Sequence, residues 1–93
     1  KLVYLITLGD AAKKAGALIL SDMRRVGITA DTDYENKSLK ACMRKANDLK
    51  AGFVAILGDD ELKDGVIALK DMASGTQEKI KLAELNNKLK GSL

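Results

Sequence analysis

The apolar residues of this chain fall first into two nearly continuous runs, at residues 2–8 and 53–58. Both runs contain β-branched and aromatic residues and both stop at a glycine, which is typical of strands buried on both faces. Residues 28–33 instead alternate apolar and polar side chains, as a half-exposed strand does. The pattern therefore predicts three strands in the first two thirds of the chain.

Two stretches between these strands have the spacing of amphipathic helices. In residues 10–26, Asp10 is the expected N-cap and Gly27 the C-terminal stop. Residues 37–50 have the clearest helical periodicity in the sequence. The apolar face of this second helix consists of Leu39, Cys42, Met43, Ala46 and Leu49. Its opposite face is basic and consists of Lys37, Lys40, Arg44 and Lys45. We expect the apolar face to pack on the sheet and the basic face to meet solvent or a partner.

The rest of the chain adds a hairpin and a closing helix. Residues 59–65 are polar and rich in turn formers, and the strand-like segments 66–70 and 77–82 that follow predict a hairpin. Residues 83–90 have helical spacing. The element order predicts a three-layer α/β domain with a parallel βαβαβ core plus a hairpin, and therefore a mixed five-stranded sheet with three helices.

The composition excludes several classes of function. Ninety-three residues suit one domain with a modest core, and no apolar run approaches the ~20 residues of a membrane span. The chain has no His and a single Cys, Cys42, so it contains no Ser-His-Asp triad, Cys-His nucleophile or internal disulfide. Because it begins at Lys1 without an initiator Met, we expect a fragment of a longer protein. We also expect Cys42 to be a buried apolar residue.

Positive charge is concentrated in the first half of the chain. Residues 1–50 hold ten Lys and Arg against six Asp and Glu, a net charge of +4, whereas residues 51–93 hold six against seven, a net charge of −1. A basic helix within a positive region is expected of a surface that binds phosphates, although a solvated helix face has the same pattern. Tyr34 and Asn36 precede this helix and could stack on and read an unpaired base, or equally could cover the core and cap the helix.

Two further features are ambiguous in the sequence. Gly9 lies between a strand and a helix, where phosphate-binding loops occur, but it lacks their motifs, so a simple βα turn is favoured. The acidic cluster consists of Asp59, Asp60, Glu61 and Asp64. Solvated turn residues are the favoured interpretation of this cluster, and local recognition at the carboxyl end of a buried strand is the alternative.

Several segments resemble the C-terminal anticodon-binding domain of histidyl-tRNA synthetases. They are residues 34–40, Met43 and Ala46, residues 57–62, Gly65-Val66 and Lys70-Asp71. The resemblance implies an α/β domain that binds the anticodon stem-loop of a tRNA. It also implies a separate catalytic domain, absent from this chain, that attaches histidine to tRNA with ATP and magnesium. The longer protein would be a cytoplasmic homodimer, and the isolated domain a monomer without a cofactor.

The resemblance assigns base contacts to Asn36, Glu61 and Lys70, and we add Tyr34 as a stacking residue. The predicted phosphate contacts on the basic helix are Lys37, Lys40 and Arg44. Members of the family usually have Gly-Arg in place of Asn36-Lys37 and Gln in place of Cys42. Since Lys37 lacks the bidentate fork of Arg, a synthetase paralogue with a regulatory or protein-interaction role remains the alternative function.

Overall fold

The computed structural model describes residues 2–35 and 37–92, and its centre is one mixed sheet of five strands in the order β2-β1-β3-β4-β5. The strands are β1 (Val3–Leu8), β2 (Ala30–Thr32), β3 (Phe53–Gly58), β4 (Val66–Asp71) and β5 (Gln77–Lys81). β1 is parallel to β2 and β3, whereas β4 is antiparallel to β3 and β5 to β4. The predicted parallel core and added hairpin are confirmed.

The described residues form four α-helices where the sequence predicted three. They are α1 (Asp10–Arg25), α2 (Leu39–Asp48), α3 (Asp59–Asp64) and α4 (Leu85–Ser92), the last preceded by a 3-10 turn at Leu82–Glu84. The unpredicted helix is α3, which occupies the segment interpreted as turns. Its six residues are too few to show a periodicity, but three acidic residues in its first turn and Gly65 in the left-handed conformation at its end stabilise this short helix.

Helices cover both faces of the sheet, as the three-layer prediction requires. On one face, α1 and α4 pack through Leu20, Met23, Leu85 and Leu89 against a cluster that includes Leu5. On the other face, α2 packs against β1 and β3. The buried residues of this second cluster are Tyr4, Ile6, Cys42, Ala46, Ala51 and Val54. Within the described ranges, no helix combines the length and hydropathy that a bilayer span requires.

The ends of the two long helices differ from the sequence prediction. Gly9, not Asp10, is the N-cap of α1, and Asp10 is its first helical residue. The helix starts there because the backbone N–H of Ala12, which has no partner within the helix, donates a hydrogen bond to the side chain of Asp59. In α2, Ser38 is the N-cap and its Oγ accepts a hydrogen bond of 3.2 Å from the Ala41 N–H. Cys42 is buried as predicted.

Candidate RNA interface

The loop between β2 and α2, residues 33–38, is organised around the carboxylate of Asp33. Asp33 Oδ2 accepts a hydrogen bond of 2.8 Å from the Lys37 N–H, and Oδ1 accepts one of 3.2 Å from the Glu35 N–H. The Cys42 Sγ lies 3.7 Å from the same Oδ2 and donates to it from beneath. These contacts fix the backbone on both sides of Asn36, which itself lies outside the described residues.

The groups around this carboxylate have shifted pKa values. Burial opposes ionisation of Asp33, but the hydrogen bonds from the Lys37 and Glu35 backbone outweigh it and lower the pKa of Asp33. Burial, followed by the charge of Asp33, raises the pKa of the Cys42 thiol and raises the pKa of Tyr4 to about 12. At neutral pH the carboxylate is therefore ionised, and the thiol and the phenol beside it are protonated.

We predict that Asp33→Asn destabilises the domain by about 1 kcal/mol at pH 7, because the amide offers one acceptor oxygen where the carboxylate offers two. Since the folded-state pKa of Asp33 is lowered, its stabilising effect is present above its ordinary pKa and lost as the pH falls through the folded-state value. Urea unfolding of both proteins between pH 7 and pH 3 checks this. The stability difference should shrink at acid pH, and a constant difference would contradict this role.

Tyr34 lies in this loop and is the most solvent-exposed large apolar side chain among the described residues, with 74% of its surface exposed. It lies between two depressions at the carboxyl ends of β1 and β2. The first, which we call the α1 groove, has a volume of about 400 Å³ and is lined by Thr7, Lys13, Gly16, Ala17, Leu20, Thr32, Asp33 and Tyr34. The second, the α2 groove, has about 220 Å³ and is lined by Tyr4, Asp31, Thr32, Asp33, Tyr34, Glu35, Lys37 and Lys45. An exposed ring in this position is accessible to a stacking base.

The basic face of α2 is exposed, as the sequence predicted, but Lys37 lies in the loop before the helix, which begins at Leu39, and the charges are not equivalent. Lys37 Nζ lies 3.0 Å from Glu35 Oε2, and this hydrogen-bonded partner raises the pKa of Lys37. Among the described residues, Lys40 and Arg44 form no ion pair. Arg44, Lys37 and Asp48 line one shallow depression. Arg44 and Lys40 are therefore better placed than Lys37 to meet a phosphate.

The acidic cluster after β3 forms structural contacts that sequence reasoning missed. Asp59 Oδ1 accepts a hydrogen bond of 2.9 Å from the Ala12 N–H, so it caps α1 from another element. Glu61 Oε1 accepts one of 3.1 Å from the Gly58 N–H at the start of α3. A ligand anion commonly binds at such a helix N-terminus near the carboxyl ends of parallel strands. Here a carboxylate of the chain takes that position, which agrees with a simple turn at Gly9.

The structure brings some of the predicted RNA-binding residues together and separates others. Tyr34 and Lys37 line the same groove. Glu61 follows the carboxyl end of β3, whereas Lys70 pairs with Val54 near its amino end. Gly58 is four residue steps along the strand from Val54, so these two positions lie about 13 Å apart. The backbone positions of Lys70 and Glu61 therefore lie toward opposite ends of β3.

No group of three or more His, Cys, Asp or Glu residues that could hold a metal ion occurs in the part of the chain that the structure describes. What the loop, the grooves and α2 offer together is an exposed aromatic ring, several cations and a fixed backbone. Those are the elements of a surface that binds single-stranded nucleic acid.

Comparisons with known proteins agree with this description. The sequence model of a family described as "Anticodon binding domain" matches residues 2–92. A histidine–tRNA ligase of Bacillus cytotoxicus is 47% identical over 79 residues, which cover 85% of this chain and 19% of that protein. The chain thus spans about a fifth of the length of that relative.

Two solved structures are similar as well. The crystal structure of apo histidyl-tRNA synthetase from S. aureus matches with a TM-score of 0.88 at 35% identity, over 92% of this chain and 25% of that one. The histidyl-tRNA synthetase from Nostoc sp. matches with a TM-score of 0.90 at 26% identity, over 97% of this chain and 22% of that one. By fold and by sequence over nearly its whole length, the chain belongs to the anticodon binding domain family and is related to the domain found in histidyl-tRNA synthetases.

Proposed function

We propose that this domain binds the anticodon loop of a tRNA that accepts histidine. The observation that carries the proposal is the exposed Tyr34 ring between two grooves, together with Lys40 and Arg44 of α2, which form no ion pair within the described part of the chain. In this arrangement a splayed base stacks on Tyr34, while Lys40 and Arg44 bind phosphates of the anticodon stem. Asn36, Glu61 and Lys70 are the proposed base-reading residues, and Lys37 is a weaker phosphate contact because Glu35 offsets its charge.

We further propose that the domain acts within a longer protein that attaches histidine to tRNA with ATP and magnesium. The relatives named above as ligases of histidine and tRNA support this, since the chain matches only about a fifth to a quarter of their length. In that protein the present domain selects the tRNA and takes no part in the chemistry. Assembly as a homodimer and a cytoplasmic location belong to the same proposal.

Titration of the 93-residue chain with a labelled RNA stem-loop that carries the histidine anticodon tests the proposal. Contacts with two phosphates, from Lys40 and Arg44, should give a negative slope of log K against log salt concentration of about 1.4 to 1.8, at ~0.7–0.9 per phosphate. A protein-interaction domain would give no such salt-dependent binding. That outcome would favour the regulatory alternative.

A further inference from the structure

On the face of the sheet that α2 covers, the residues of β5 are exposed, whereas β4 is partly covered, with Ala68 buried and Val66 and Lys70 half-buried. The hydrophobic cluster beneath α2 contains residues of β1 and β3 but, among the described residues, none of β4 or β5. On the opposite face, Ile67 and Leu69 of β4 belong to the cluster beneath α1 and α4. Because neighbouring residues of a strand point to opposite faces, every second residue of β4 and β5 lies on the same face of the sheet as α2. These residues are not part of the hydrophobic cluster beneath α2.

Three lysines lie on this face, and we call them the lysine row: Lys70 on β4, and Lys79 and Lys81 on β5. The register pairs Lys70 with Gln77, so Lys79 is its diagonal neighbour on the same face. Lys79 and Lys81 are two residues apart on one strand. Successive members are therefore separated by roughly 7 Å. The acidic residue of β5, Glu78, points to the other face and pairs there with Lys88, at 2.9 Å.

The lysine row has no compensating charge in its surroundings on the sheet. Among residues 2–35 and 37–92, none of its three members forms an ion pair. The other residues on the same face of β3, β4 and β5 are uncharged. They are Val54, Ile56, Gly58, Val66, Ala68 and Gln77. Lys79 and Lys81 are exposed and Lys70 is half-buried, so the row is a strip of positive charge on a largely apolar sheet surface.

The direction of the lysine row connects two parts of the proposed site that the fold separates. Lys70 lies near the amino end of β3, away from Glu61. Lys81 pairs with Val66, the first residue of β4. It therefore lies at the end of the sheet where β3 finishes and α3 starts. The row thus runs from Lys70 back toward Glu61. On α2, Lys45 lines the α2 groove and Ala41 lies on the same side of the helix. Lys40 and Met43 lie on the opposite side of the helix, away from that groove.

We propose that Lys79 and Lys81 bind the phosphate backbone of the RNA strand that leads to the base read by Lys70. This proposal rests on the proposed function and extends its surface from α2 across the sheet to β5. Charge complementarity favours an RNA strand, because a row of spaced cations at an exposed edge strand can follow a polyanion. The competing explanation is that lysines on the edge strand β5 merely prevent pairing with other sheets.

The test compares Lys79→Gln/Lys81→Gln with Lys14→Gln/Lys90→Gln in the full chain. Lys14 and Lys90 are exposed on α1 and α4, at the other face of the sheet, and the second pair removes the same charge. Affinity for the histidine-anticodon stem-loop at low salt should fall about tenfold in the first variant. The salt slope should flatten by about 1.4, at ~0.7 for each phosphate contact. The control pair should change both values far less.

Equal affinities and salt slopes for the two double variants would overturn the lysine row proposal while leaving the proposed function intact. Absence of salt-dependent binding by the unaltered chain would instead overturn both. A further variant, Lys79→Arg/Lys81→Arg, keeps the charge and should restore binding. Removing neighbouring like charges should not lower the thermal midpoint, so unfolding curves separate lost binding from lost structure.

Discussion

Gly9→Ala should lower the thermal unfolding midpoint of the domain by roughly 12–24 °C, as expected for a loss of about 3 kcal/mol in a domain of this size. Gly9 has φ 112° and ψ 159°, a conformation that is essentially restricted to glycine and costs other residues about 1–3 kcal/mol. A Cβ at this position would also overlap the Asp59 carboxylate. The alanine variant therefore disrupts the hydrogen bond that caps α1 as well as straining the backbone.

Two comparisons separate these contributions in calorimetry or thermal denaturation. Gly75 also has a positive φ, of 77°, but a Cβ there would meet no atom within 4 Å. Gly75→Ala should therefore show the backbone strain alone, about 1 kcal/mol. Adding Asp59→Ala to Gly9→Ala should cost less than the sum of the single variants, because the overlap is then removed. Additive losses would show that Gly9 and Asp59 are not coupled.

Lys70→Ala should reduce the preference for the histidine anticodon by about 5- to 150-fold, which corresponds to ~1–3 kcal/mol for a lost base contact. The reason is that Lys70 lies half-buried on β4, on the same face of the sheet as Lys79 and Lys81. A base contact changes discrimination, whereas a phosphate contact weakens binding to every sequence. The measurement is the ratio of affinities for stem-loops with the histidine anticodon and with an altered one.

Arg44→Ala is the matched control for Lys70→Ala, since it removes one exposed cation from α2. It should weaken both RNAs to a similar extent and flatten the salt dependence. Glu61→Gln keeps an oxygen that can accept the Gly58 N–H while removing the charge, and it should also change discrimination. Equal losses on both RNAs for Lys70→Ala, Glu61→Gln and Arg44→Ala would contradict the assigned roles.

Most of the fold could be predicted from hydrophobic periodicity alone. The runs at residues 2–8 and 53–58 specified the central strands because both faces of these strands are buried. α3 was missed because a six-residue helix of mostly charged residues looks like a loop until its caps are known. The N-cap of α1 was assigned to Asp10 because the actual partner, Asp59, lies 47 residues away along the chain.

The candidate site was less accessible to sequence reasoning. Tyr34 and the basic face of α2 could be identified from their positions before and along an amphipathic helix. Asp33 carries no local signal for its role, since its three donors come together only when the loop folds over Cys42. The lysine row follows from the β4–β5 register, which places Lys70 beside residues of another strand. The contribution of Asn36 stays a prediction.

The central claim is that this domain distinguishes one anticodon from others. It is tested most directly by the affinity of the unaltered chain for two RNA stem-loops that share one stem and differ only in the anticodon bases, at the same salt concentration. We predict at least about tenfold tighter binding, 1.4 kcal/mol, to the stem-loop with the histidine anticodon. Equal affinity for the two stem-loops, or no binding that depends on salt, would contradict it.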